Sequence, residues 1–192
     1  MNSLARFLGK GKLPRSYRPG KLLQLVAIDL SQHRLEMDHP HHGRFVAQGE
    51  GLPSFEAHEE VVKNFLGHIT VIMWRFSVPA PSGEPGWAVI RTTGGLRRIG
   101  VEGLTREGDA AFSESLGRLV GHAGFARALQ VLDFKRYELH RERTSWRTEV
   151  ELIGASEVIA AMPPMRRYIR LYPDQRSALL GSFMAMEQVL GR

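Results

Sequence analysis

Residues 69–78 read ITVIMWRFSV, and their apolar side chains fall on both alternating faces of an extended chain. Successive side chains of a strand point to opposite sides of a sheet, so this run predicts a strand covered on both sides. Immediately after it, residues 79–86 (PAPSGEPG) are rich in turn formers and predict a hairpin connection. GWAVIRTT (86–93) and LRRIGVEG (96–103), set apart by Gly94-Gly95, then predict two further strands.

Upstream, Gly51-Leu52-Pro53-Ser54 predicts the start of a helix. Ser54 would be its N-cap, Glu56, Glu59 and Glu60 would suit the positive helix end, and Val61, Val62, Phe65 and Leu66 would be its buried face. RLEMD (34–38) and GRFVAQGE (43–50) read as two strands joined tightly through His39, Pro40, His41 and His42. LLQLVAIDL (22–30) follows Pro19-Gly20 and places Leu23, Val26, Ala27 and Leu30 at helical spacing.

Downstream, Asp109 can cap a helix that buries Phe112, Leu116, Leu119 and Val120 and continues, broken at Gly121 and Gly124, to Leu129. LDFKRYELHRE (132–142), SWRTEVELIG (145–154) and SEVIAAMPPMRRYIRL (156–171) read as closing strands, the last interrupted at Pro163-Pro164, where a tandem proline marks a bulge, an edge or a turn. Pro173 suits the first position of a final helix carrying Leu179, Phe183, Met186 and Leu190 on one stripe.

The expected fold class is therefore α+β, a mainly antiparallel sheet of about six to eight strands with helices packed on it. Residues 22–192 would form this one domain, after a basic arm over residues 1–21. Two layouts satisfy the pattern. In one, residues 53–104 and 110–171 are duplicated helix-plus-three-strand units. In the other, a curved sheet grips the C-terminal helix around an apolar pocket suited to a small hydrophobic ligand.

In the C-terminal part, LDFKR (132–136), GASEV (154–158) and RRYIRLYPDQR (166–176) resemble a small bacterial family of proteins of unknown function. The resemblance covers residues 132–176, implies no activity and transfers no catalytic residue.

Charge narrows the function classes. Of the 192 residues, 26 are Lys or Arg and 20 are Asp or Glu, a net charge of +6. Arg6, Lys10, Lys12, Arg15, Arg18 and Lys21 all precede the first acid, Asp29, so the rest of the chain is neutral by count. The glycines and prolines of residues 1–21 predict an extended arm, which serves either as a solubilising tail docked on its own domain or as a contact for a polyanion or an acidic membrane surface. Only five of the basic residues are Lys, a bias that a GC-rich coding genome explains without functional demand. With no Cys, disulfides, thiolate metal sites and Cys nucleophiles are excluded. No apolar run approaches the roughly 20 residues of a spanning helix, and a cytoplasmic location is the expectation.

Three clusters invite a chemical reading. Arg166, Tyr168 and Arg170 would share one strand face near the start of the final helix, an arrangement suited to a phosphate or carboxylate, with Arg97 and Arg98 as further anion candidates. The competing account pairs these arginines with Glu149, Glu151 and Glu157 on neighbouring strands. His39, His41 and His42 are weak metal candidates, because adjacent histidines on a strand point apart and a polar turn explains them more simply. Glu149 and Glu151 share a face but read as exposed, salt-bridged surface rather than an acid and base. No dinucleotide loop, phosphate loop or nucleophile elbow is present, and no cofactor is expected. These features favour a non-enzymatic binding or regulatory module engaging a protein or small-molecule partner. Binding of nucleic acid or another polyanion through the arm and the Arg-rich strand comes second, and an enzyme with an unrecognised site third. Oligomeric state cannot be read from them.

Overall fold

The computed structural model describes residues 13–94 and 100–191. In chain order the elements are α1 (Lys21–Asp29), β1 (His33–His39), β2 (His42–Ala47), β3 (Phe55–Asn64), β4 (Gly67–Pro79), β5 (Gly86–Thr93), β6 (Gly100–Glu107), α2 (Ala110–Gly121), α3 (Ala123–Val131), β7 (Phe134–Arg141), β8 (Ser145–Ala160), β9 (Met165–Ile169) and α4 (Pro173–Leu190). The strands form one sheet in the order β1-β2-β3-β4-β8-β7-β5-β6, with β9 paired to the distal part of β8. Every pairing among the described residues is antiparallel. The chain is an α+β fold, as its patterning predicts, with nine strands rather than six to eight.

The 69–78 run lies in β4, between β3 and β8. Ile72, Trp74, Phe76 and Val78 point to the helices and join the core, while Val71 and Met73 are buried on the opposite face. α4 is seated on this strand through Phe183, whose ring lies 4.9 Å from Phe76 and 5.5 Å from Phe55. Its stripe of Leu179, Phe183, Met186 and Leu190 is buried as expected. Asp109 caps α2 by accepting from the Phe112 N–H at 2.7 Å. The expected break falls at His122, whose Nδ1 accepts from Phe125 N–H and caps α3.

Four expectations are corrected. Residues 55–64 are strand β3, not a helix. Phe55, Ala57 and Glu59 are buried with a period of two, and β3 pairs with β4 without interruption from Glu56 to Asn64. Sheet pairing overrides the local helix preference of this segment. Ser54 Oγ accepts instead from Ala47 N–H, and Phe65 and Leu66 lie exposed in the β3–β4 turn. The duplicated layout falls with that helix, since 55–64 is a strand whereas its supposed counterpart forms α2 and α3.

Residues 79–86 are not a hairpin connection either. β5 pairs with β7 and β6, while β4 pairs with β3 and β8, so the loop passes two intervening strands. It runs over the β7–β8 turn, where Ala80 N–H donates to Thr144 O and Gly83 N–H to Arg143 O. Finally, residues 145–154 and 156–160 are one strand, β8, with a large bulge. Between the pairs Val71–Ser156 and Met73–Glu151, two steps along β4 face five along β8, and Ala155 takes φ 57°. Pro163-Pro164 lies in the turn from β8 into β9.

Of the basic arm, residues 1–12 lie outside the described residues. Its remainder docks on β3, where Glu59 accepts from Tyr17 Oη at 2.8 Å and from Gly20 N–H at 2.9 Å. Gly20 has φ 78° and lies against Pro40 O, a position that a side chain would not fit. Among the described residues no helix is long and apolar enough to cross a membrane.

Candidate functional site on the open sheet face

All four helices contribute to the core on one face of the sheet, which leaves the other face open. Directly opposed residues in a ladder share a face, and the register therefore assigns the open one. Glu60 faces Val71, Met73 faces Glu151, and Glu151 faces Arg136. One step along, Arg75 faces Glu149, Glu149 faces Glu138, and Glu138 faces Val89. Five neighbouring strands thus bring alternating acids, arginines and valines together.

This face is hollowed. A cavity of about 620 Å³ is lined from β3 by Glu60 and Val62, from β4 by Val71, and from β5 by Val89 and Arg91. Phe134, Lys135, Arg136 and Glu138 of β7 and Glu151 of β8 complete its charged wall. Because β3 and β5 are separated by three strands, the sheet must curl for both to line one hollow.

Arg136 sits among three carboxylates. Its guanidinium nitrogens lie 4.0 Å from Glu60 Oε2, 3.9 Å from Glu138 Oε1 and 3.7 Å from Glu151 Oε2, and Nη2 lies 3.3 Å from Met73 Sδ. Lys135 Nζ donates to Glu151 Oε1 at 3.0 Å. Arg91 pairs with Glu102 on β6. Beyond the hollow, Arg75 donates to Glu149 Oε1 at 2.9 Å and Arg147 pairs with the same carboxylate. Burial raises the Glu149 pKa, but Arg147 and Arg75 outweigh it and hold the carboxyl below the usual range.

The expectation that Glu149 and Glu151 share a face holds, and both are salt-bridged. They are not exposed, however: Glu149 is 3% and Glu151 7% accessible, because β8 lies inside the sheet between β4 and β7. Glu138, His140 and Glu149 bring ligand-type atoms within 4.8 Å of one another. His140 Nε2 lies 3.2 Å from Glu138, its ring stacks 6.2 Å from Trp87, and the arginines on Glu149 already supply positive charge there.

The other candidates are dispersed. Arg166 makes a bidentate pair with Glu157, at 2.7 and 2.9 Å, as the cross-strand account anticipates. Arg170 turns instead to Asp29 at the end of α1, and Tyr168 Oη donates to the same carboxylate at 2.7 Å. Arg97 and Arg98 lie outside the described residues. His39, at the end of β1, and His41, in the β1–β2 turn, are exposed, whereas His42 contacts Asp38 at 2.6 Å and Glu56 at 3.9 Å. His68 is buried beside Glu157 and Arg166, and burial lowers its pKa.

A family model described as Protein of unknown function (DUF3156) matches residues 28–190. The chain belongs to that family. The match takes in every strand, the helices α2 to α4 and all of the hollow, so the DUF3156 region includes each residue of the site described above. No curated protein and no solved structure matches the chain.

Reading the chain alone misses Glu60, Arg136 and Glu138. Glu60 is hidden by its assignment to a helix end. Arg136, Glu138 and His140 do carry a signal, since they alternate with buried Tyr137 and Leu139 in one strand and so share the polar face.

Proposed function

We propose that this DUF3156 protein is a binding module whose open-face hollow takes a small organic molecule with an apolar body and a cationic head. The observation that carries this reading is the convergence of Glu60, Glu138 and Glu151 over a floor of Val62, Val71 and Val89. The volume of about 620 Å³ falls within the roughly 300–1,000 Å³ of small-molecule sites. The lining balances Glu60, Glu138 and Glu151 against Arg91, Lys135 and Arg136, and Arg91 is drawn aside to Glu102, so two cations share the three carboxylates inside the hollow. The ion pairs of Arg136 with these acids, at 3.7–4.0 Å, are longer than hydrogen bonds. An incoming ammonium or guanidinium could approach the same oxygens more closely, and the valines would cover its apolar stem.

Calorimetry on the full chain tests this with arylalkylamines, the matching carboxylic acids and the matching alcohols. Amines should bind, acids and alcohols should not, and Glu138→Gln should weaken amine binding about tenfold through loss of one charge-assisted contact. Equal responses to all three classes, or amine binding unchanged in Glu60→Gln, Glu138→Gln and Glu151→Gln, would overturn it.

A further inference from the structure

Two acids of the hollow, Glu60 and Glu138, are each backed by a histidine. His58 Nε2 lies 3.2 Å from Glu60 Oε1, and Glu60 Oε2 lies 4.0 Å from Arg136. On the opposite wall His140 Nε2 lies 3.2 Å from Glu138 Oε2, and Glu138 Oε1 lies 3.9 Å from the same guanidinium. Each carboxylate is thus held at one oxygen by a ring nitrogen and faces Arg136 with the other. An ionised carboxylate only accepts, so Nε2 carries a proton in both contacts and donates it. His58 and Glu60 are two residues apart on β3, as are Arg136, Glu138 and His140 in turn on β7, which places all five on the open face. The side chains of both histidines and both acids are largely buried, so solvent ions screen their charges little.

The neighbours of the two rings are set by the ladders. His58 is paired with His42 of β2, whose ring stacks 6.3 Å away, and with Met73 of β4; Arg44 and Arg75 lie diagonally across, and Glu56 and Glu60 flank it on β3. His140 is paired with Trp87 of β5 and with Arg147 of β8, has Glu149 diagonally across, and has Glu138 and Glu142 on either side along the chain. His42 is turned to Asp38 and Glu56, Arg75 to Glu149, and Arg147 to Glu142 and Glu149. The carboxylates within hydrogen-bonding reach of the two rings are therefore those of the hollow. With both rings neutral, Lys135 and Arg136 share Glu60, Glu138 and Glu151. With both protonated, four cations share the same three acids.

We propose that His58 and His140 position the carboxylates of the hollow and, by taking up protons below neutral pH, expel its cationic ligand. This rests on the hollow being a site for amines and adds how that site is regulated. Imidazole is the side chain whose charge ordinarily changes between about pH 5 and 8. Carboxylates and alkylamines in general keep their charges through the upper part of that range, so the histidines alone change the balance there. A protonated ring turns its hydrogen bond with Glu60 or Glu138 into an ion pair and sets a like charge beside the ammonium of the ligand. By linkage, a cation that prefers the unprotonated hollow must release protons as it binds.

Calorimetry of the full chain with phenethylamine tests it. Affinity should fall about tenfold or more between about pH 7.5 and about pH 5.5, with circular dichroism unchanged over that range. At about pH 6.5, titrations in two buffers of different ionisation heat should show protons released on binding. In His58→Gln combined with His140→Gln, the ratio of the affinities at the two pH values should approach one and the proton release should vanish, whatever the absolute affinity of the variant. Equal wild-type affinity at both pH values without proton release overturns this inference and leaves the amine site standing. Absence of amine binding at either pH overturns the inference together with the amine site. A fall in affinity that persists undiminished in the double variant places the titrating group elsewhere and also overturns the inference.

Discussion

The Asp29 carboxylate at the end of α1 lies 2.7 Å from the hydroxyl of Tyr168 on β9, 139 residues away. The same carboxylate accepts from Arg170 and from Leu171 N–H at 3.1 Å, and its main-chain carbonyl accepts from Arg176 of α4. One buried acid thus joins the first helix, the last strand and the last helix, and only 2% of it is accessible. Burial raises its pKa, but the bonds from Tyr168, Arg170 and Leu171 outweigh that and hold the carboxyl below its ordinary 3.8.

Asp29→Ala should therefore destabilise the fold by about 2–3 kcal/mol, because Tyr168 and Leu171 N–H lose a buried acceptor. Arg170 is largely solvated and adds little to that figure. Thermal unfolding should fall by roughly 4–12 °C for a chain of this size. An unchanged unfolding temperature would show that the Asp29 carboxylate does not hold these elements together.

Glu59 plays the complementary part at the other end of α1. Its Oε2 accepts from Tyr17 and Gly20 N–H, and its Oε1 from Leu23 N–H at 3.0 Å, so a β3 side chain caps a helix that has no cap of its own. Burial and the neighbouring carboxylate also push the Tyr17 phenol well above its usual pKa. Glu59→Ala should cost about 1–2 kcal/mol and should speed trypsin cleavage after Arg15 and Arg18 severalfold. Cleavage at the wild-type rate would mean that Glu59 does not hold residues 13–20.

These links explain how far the chain could be read from its residues. The ITVIMWRFSV strand, the Asp109-capped helix and the α4 stripe were legible because each is set by local periodicity or capping. β3 was not, since its glutamates and valines satisfy a helix pattern and only its ladder with β4 makes it a strand. Nor could sequence spacing reveal that residues 79–86 cross two strands, or that Arg170 seeks Asp29, since both depend on strand order. The hollow was invisible for the same reason. Glu60, Glu151 and the Arg136–Glu138 pair come from three separate strands and become neighbours only when β8 enters between β4 and β7.

Glu149 gives a pH prediction. Arg147 and Arg75 hold its carboxyl below the ordinary 4.5 in the folded chain. The unfolded chain then binds protons at a higher pH than the folded one, so acid favours unfolding. The stabilisation is complete above about pH 4.5 and is lost as pH falls through the lowered folded value. Urea unfolding should show a steeper loss of stability below pH 4.5 in the wild type than in Glu149→Gln. The variant itself should be about 1–3 kcal/mol less stable at neutral pH, where the two arginines lose their buried partner. Parallel acid profiles for the two proteins would place the titration elsewhere.

Gly67 opens β4 immediately after the exposed Phe65-Leu66 turn, and a Cβ there would overlap the backbone around Ile159 O and Ala160. The obstacle is the main chain of β8, so no rotamer change could relieve it. Gly67→Ala should push β4 away from β8 where Gly67 pairs with Ala160 and weaken the bond from Ala161 N–H to Leu66 O. The expected cost is about 1–3 kcal/mol, in the range for overpacking. Because the clash is confined to one end of the sheet, amide exchange should accelerate at residues 66–70 and 157–161. Protection across the far end of the same ladder, at Phe76 and Thr148, should be largely retained. Uniform loss of protection along both strands would show instead that the tip and the body of the sheet unfold as one unit.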